Sequence, residues 1–174
     1  MADAEHSLSF APAELGHLSV LIKNETRSYA FPWTEGVFRD CIGGPQSCWV
    51  AKDGAGNIIG HAILSITAGE AHLLNLCITR DQQGYGYGRQ FMHFLLEQIE
   101  AVSAEVLFLE VRPSNRVAIT LYESMGFREI GVRKDYYPAP LGREDARVFA
   151  LQFSESDSLP SEPKKIGRDH LGTV

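Results

Sequence analysis

Basic residues are the minority charge in this chain: 16 lysines and arginines stand against 22 aspartates and glutamates, a formal net charge of -6 over 174 residues. That balance supplies no general attraction to nucleic acid, while it tolerates or attracts a basic peptide. Cysteine is scarce. Cys41, Cys48 and Cys77 form neither an even framework nor a C-x-x-C pair, which argues against a disulfide scaffold and fits a reduced compartment. The six histidines are scattered, so no metal site is expected. No apolar run approaches membrane-spanning length. The opening "MADAEHSLSF" has neither a basic n-region nor a long apolar h-region, and a cytoplasmic protein without a membrane partner is expected. Internal repeats are also lacking.

What is present is a hydrophobic fraction of 44%, enough for one core, and a change of pattern along the chain. Leu15, Leu18, Leu21 and Ile22 recur at helical spacing after Pro12. Thr34 can cap a second short helix carrying Val37, Phe38, Cys41 and Ile42. After "GGP" the pattern becomes that of a three-strand meander: "SCWVAK", the turn "DGAGN", "IIGHAILSIT" and "AHLLNLCI". Helix and strand then alternate: a helix with Phe91, Leu95, Ile99 and Val102 on one face, the strand "EVLFLEV", the helix "NRVAITLYESM", the strand "FREIGV", a loop, and the strand "ARVFALQF". Strands followed by alternation predict a mixed α/β sheet with helices on its faces. Residues 1–153 read as one domain, and 154–174, with two prolines and no aromatic residue, as a disordered tail.

Between the third strand and its helix lies "QGYGYGR", Gln83 to Arg89. Gly84-x-Gly86-x-Gly88 lacks the G-x-G-x-x-G register, and no Lys-Ser/Thr pair follows, so neither a dinucleotide fold nor a P-loop is supported. Glycines at the start of a helix allow successive N–H groups to converge on an anion at the positive end of the helix dipole. Arg89 in the first turn opposes that dipole, which an anionic ligand nearby would offset. The group expected is a phosphate or pyrophosphate. A merely flexible turn is the plainer alternative.

Three polar residues follow. Glu110 interrupts the apolar alternation of its strand, either as a solvated strand end or as a carboxylate that accepts a proton directly or through water. Asn115 after Pro113 suits a helix cap, as does Ser114. Tyr122 shares a helical face with Ala118 and Met125, as a core residue or as a phenol donating a proton to a leaving group.

Gln83-x-x-Gly86-x-Gly88 followed by "LEVRPSNRVAITLYESMGF", Leu109 to Phe127, resembles the pyrophosphate turn and following strand and helix of the GNAT N-acetyltransferases. With "AFPW" (Ala30 to Trp33), "LLNLCI" (Leu73 to Ile78), "RKDYYPAP" (Arg133 to Pro140) and "GREDA" (Gly142 to Ala146), the chain is similar to the RimI-type ribosomal-protein-alanine branch of that family, from about residue 8 to residue 153. The resemblance implies a mostly antiparallel central sheet of about six to seven strands with helices on both faces. It implies acetyl-CoA as cosubstrate and no metal. Leu76, Cys77 and Ile78 would pair with its pantetheine arm, while Gln83, Gly84, Tyr85, Gly86, Tyr87, Gly88 and Arg89 would surround its pyrophosphate. Asn115 matches the family's cofactor-contacting asparagine, Glu110 its general base and Tyr122 its general acid. Tyr136, Tyr137, Glu144 and Asp145 would border the peptide groove. Gly84 stands where the family often carries a basic residue, and Cys77 is expected to be buried and inert.

The amine implied is a protein N-terminus, that of a ribosomal protein, acetylated by a monomer or weak dimer. An α-amino group has a reference pKa of about 7.7–8.0 and lysine about 10.4, so freeing lysine at neutral pH costs roughly 3 kcal/mol more. One water-linked carboxylate is sufficient for the former. Acetylation of lysine or a small amine, and a CoA-binding module without catalysis, are the alternatives that the residues leave open.

Overall fold

The computed structural model describes residues 7–153; the tail expected over 154–174 lies outside the described residues. Seven strands and four α-helices follow in the order β1 (Ser9–Pro12), α1 (Leu18–Ser28), α2 (Glu35–Gly43), β2 (Ser47–Lys52), β3 (Ile58–Thr67), β4 (Glu70–Ile78), α3 (Tyr87–Ala101), β5 (Val106–Val111), α4 (Arg116–Ser124), β6 (Arg128–Ala139) and β7 (Gly142–Gln152). The strands form one sheet in the order β1-β2-β3-β4-β5-β7-β6. β1–β2, β2–β3, β5–β7 and β6–β7 are antiparallel, and β4–β5 is parallel through Glu70–Leu73 against Val106–Leu109. This is the mixed, mostly antiparallel sheet expected. Among the described residues no helix is long and apolar enough to cross a membrane.

The described chain divides into two compact units. One holds the residues up to Ser65 together with Leu74–Gln98; the other holds Ile66–Leu73 and the residues from Ile99 on. In the first, Leu18 and Leu21 of α1, Val37, Phe38 and Cys41 of α2, and Phe91 and Leu95 of α3 are buried as anticipated, joined by Met92, whereas Leu15, anticipated on the α1 stripe, is exposed in the short turn that precedes the helix. Thr34 caps α2, its hydroxyl accepting the Val37 N–H at 3.4 Å. In the second unit Val106, Phe108 and Ala150 pack with Ile130, and Leu107 and Leu109 are buried on the opposite side of β5. Burial on both faces is what turned β5 into a nearly continuous apolar run.

Three further expectations change. Ser9–Pro12 forms β1, pairing with β2, where no strand was anticipated; four residues ending in proline are too few to display alternation. Val102 lies outside α3 and is exposed, because the helix ends at Ala101 and Ser103 turns the chain with φ 56°. The loop after "FREIGV" is instead the continuation of β6 into a long hairpin with β7. Register shifts at Glu129/Gly131 and Arg133/Tyr137 interrupt its alternation, and Pro138 is accommodated because β6 is an edge strand.

Candidate active site

In the first unit the end of β4 meets the glycine turn. The Thr79 N–H donates to the Ile59 carbonyl of β3 at 2.8 Å. Strand alternation then turns the Cys77 backbone groups toward β3 and those of Leu76 and Ile78 away from it. A Cβ at Gly60 of β3 would stand 2.7 Å from the Cys77 carbonyl oxygen, so glycine is what permits this close approach. On the far edge the Leu76 carbonyl accepts the Tyr29 hydroxyl at 2.5 Å, and the Ile78 carbonyl accepts Gln83 Nε2 at 2.9 Å. Gln83, expected at the pyrophosphate, is thus engaged with the strand.

Gly84 and Gly86 adopt φ of 86° and 81°, with open space where a Cβ would stand. The requirement at both is backbone conformation and not volume. The Gly86 carbonyl begins the α3 ladder, accepting the Arg89 and Gln90 N–H groups at 3.1 Å each. The N–H groups of the turn precede that ladder, at the positive end of a 15-residue helix. Tyr87 is buried, anchoring the turn, whereas Tyr85 is exposed.

Cys77 is fully buried, and burial pushes its thiol up to about 12. Beside it, a polar cluster that sequence reasoning missed occupies the core. The Glu25 carboxyl group, 1% exposed, accepts the Trp33 N–H (3.2 Å) and Asn75 Nδ2 (3.1 Å) and pairs with His61 Nε2 (3.0 Å). Glu25, His61 and Cys77 bring metal-capable atoms within 4.8 Å of one another, but the Glu25 oxygens are already engaged by Trp33, Asn75 and His61. The available signal was position: Glu25 falls four and seven residues after Leu21 and Leu18, on the buried stripe of α1.

In the second unit Glu110 is held from two sides. Its Oε2 accepts the Tyr136 hydroxyl at 2.6 Å and its Oε1 meets Arg133 Nε at 3.0 Å. Arg133 was not singled out from the sequence, where it read as a loop charge. His72 on β4 stacks obliquely on Phe108, with ring centroids 5.3 Å apart; burial holds its imidazole below the usual range against the opposing pull of Glu70 and Glu110. Tyr122 is buried beside Phe127, and burial raises its phenol above the ordinary range, so it stays protonated as a donor. Asn115 caps α4, its Oδ1 accepting the Ala118 N–H at 3.2 Å.

Arg112 gathers the other expected residues. Its guanidinium lies 4.3 Å from the Tyr137 ring centroid, donates to the Pro138 carbonyl at 2.7 Å and meets Glu144 at 3.4 Å. Glu144 also accepts the Ser114 N–H at 2.8 Å. Burial opposes its charge, but the Ser114 and Arg112 bonds prevail and hold the carboxyl below its usual range. Asp145 is separate from this group. It accepts Lys134 Nζ at 2.7 Å and the Asp135 N–H at 3.0 Å across the β6 irregularity, and the Lys134 bond lowers its pKa first of all. Asp145 therefore holds its own hairpin, whereas Glu144 ties the hairpin to the segment between β5 and α4.

A strand edge with capped carbonyls, a glycine turn opening a helix, and a carboxylate clamped by arginine and tyrosine occur on a chain whose residues 17–127 match the model of the acetyltransferase (GNAT) family. The chain belongs to the GNAT acetyltransferase family. It is 39% identical over 130 residues to the [ribosomal protein bS18]-alanine N-acetyltransferase of Escherichia coli K12, covering 75% of this chain and 87% of that protein. The crystal structure of the ribosomal-protein-S18-alanine N-acetyltransferase from Escherichia coli superposes with TM-score 0.79 at 34% identity, covering 92% of this chain and 100% of that one. Arabidopsis thaliana NAA60, solved in complex with acetyl-CoA, shares the GNAT fold at TM-score 0.76 and 17% identity, covering 84% of this chain and 99% of that one.

Proposed function

We propose that this GNAT protein transfers the acetyl group of acetyl-CoA to the N-terminal α-amine of ribosomal protein bS18, an alanine, and that residues 1–153 make up the catalytic domain. The observation that carries the reading is the 39% identity to a bS18-alanine acetyltransferase over 130 residues. The chemistry of the donor set is compatible with it. Acetyl-CoA carries an activated acyl group at one end and a pyrophosphate-linked phosphoadenosine at the other; the turn Gly84 to Arg89 offers helix N-terminal amides and a guanidinium to a pyrophosphate. The edge of β4 at Leu76 and Ile78 suits an extended amide chain.

In this reading the α-amine attacks the thioester carbonyl carbon, its N–C bond forms as the C–S bond breaks, and the proton lost by the amine balances the one gained by the sulfur. Glu110, through water, takes the amine proton. Tyr136 and Arg133 keep its carboxylate in one orientation. Tyr122 donates to the departing sulfur. A phenol is already a weaker acid than a thiol, about 10 against about 8.5, and burial weakens it further. Its proton therefore moves only as charge builds on sulfur, and is recovered from the proton that the amine releases. Asn115 contributes its side-chain amide to the cofactor while its Oδ1 caps α4.

The test is Glu110→Gln and Tyr122→Phe under single-turnover conditions. Each should lower the transfer rate by about 100-fold or more, the usual worth of a positioned proton-transfer group, with acetyl-CoA affinity within about two-fold of the unsubstituted protein. Unchanged rates with weakened acetyl-CoA binding would overturn the assignment of roles.

A further inference from the structure

We infer that Tyr29 is a positioning residue for acetyl transfer: by capping the Leu76 carbonyl, it makes the β4 edge turned away from β3 an edge of N–H donors. The inference rests on the proposed function. Because residue N–H and C=O groups alternate sides along a strand, the edge that carries the Leu76 and Ile78 amides also carries their carbonyls. An oxygen gathering negative charge beside that edge is stabilised by the amides and opposed by the carbonyl dipoles. Both carbonyls are met by side-chain donors of the first unit: Leu76 by the Tyr29 hydroxyl at 2.5 Å, Ile78 by Gln83 Nε2 at 2.9 Å, with Ser28 Oγ farther off at 3.5 Å. The Cys77 backbone groups face β3, so the amides on this edge are those of Leu76 and Ile78.

The support for Tyr29 is built from both sides of the contact. Tyr29 follows the last residue of α1, with extended φ and ψ of -125° and 141° and its own N–H donating to the Glu25 carbonyl at 3.0 Å. The Glu25 side chain in turn holds Asn75, the residue before Leu76, at 3.1 Å. One buried glutamate thus fixes the donor and the strand that it caps. The phenol is half-buried, where a hydrogen bond counts for more than in open water.

Tyr29→Phe removes one hydroxyl and leaves the ring. The inference expects kcat to fall about ten-fold, the worth of one hydrogen bond in the transition state, while the acetyl-CoA Kd from calorimetry and the KM for peptide stay the same and the Tm drops only by the few degrees that one lost hydrogen bond costs. A merely structural hydroxyl would lower the Tm or weaken acetyl-CoA binding without a separate loss of kcat. Unchanged kcat overturns the inference, as does tighter acetyl-CoA binding at unchanged kcat, which would make the hydroxyl a competitor for the carbonyl. Either result leaves the proposed function standing, since the unsubstituted chain still transfers acetyl; absence of transfer by that chain would instead overturn the function itself.

Discussion

Glu25 illustrates why a polar side chain survives in an apolar stripe. A carboxyl group that is 1% exposed is costly unless satisfied, and here three donors from three segments converge on it: Trp33, His61 and Asn75. Glu25→Ala would strand all three. At about 1–3 kcal/mol for each buried donor left unmet, the variant should lose at least about 3 kcal/mol in urea denaturation. A loss under 1 kcal/mol would show that water or repacking replaces the carboxyl group. Sequence reading passed over Glu25, His61 and Asn75 because a polar residue within an apolar run looks like an interruption until the partner that satisfies it is known, and those partners lie 36 and 50 residues away. Glu110 was legible for the opposite reason. It interrupts a strand otherwise buried on both faces, at a position that the family resemblance also marks, although its clamp by Arg133 and Tyr136 was hidden in the hairpin.

At the scale of elements, the glycine turn and the β6–β7 hairpin differ in what they demand. Gly86 has φ 81° and no neighbour within 4 Å of a built Cβ, so Gly86→Ala meets conformational strain without a clash. It should cost about 1–2 kcal/mol of stability, the penalty of left-handed backbone for an L-residue, and weaken acetyl-CoA binding in the same titration. An alanine variant with native affinity would show that the turn does not depend on this backbone shape. In the hairpin, Glu144 and Asp145 have carboxyls held below their ordinary range in the folded state. Lowered acid pKa values stabilise above the unfolded values and lose that contribution as pH falls through the folded ones. Denaturant midpoints should therefore be level above about pH 5 and fall below about pH 4, with Glu144→Gln flattening the decline. An equally steep fall in that variant would assign the acid sensitivity elsewhere. The helices and central strands were legible because their periods of 3.6 and 2 run for several repeats. β1 and the far half of β6 were not, since one is four residues long and the other is broken by register shifts and Pro138.

For the whole molecule, fold and family follow from pattern and motif together: a meander, a glycine-initiated helix, then strand and helix carrying Glu110 and Tyr122. The net charge of -6 suits a basic partner but names none, and the choice among amines rests on acidity and on likeness to bS18-alanine acetyltransferases. An N-terminal α-amine is free at neutral pH to an extent that lysine is not, by roughly 3 kcal/mol, so a single water-linked carboxylate discriminates between them by chemistry as well as by shape. The most direct measurement is to incubate the purified protein with acetyl-CoA and a peptide bearing the bS18 N-terminal alanine and an internal lysine, then to locate the added acetyl group by fragment mass spectrometry. The account predicts acetyl on the alanine α-amine and none on the lysine; acetyl on lysine alone, or no transfer while acetyl-CoA still binds, would contradict it.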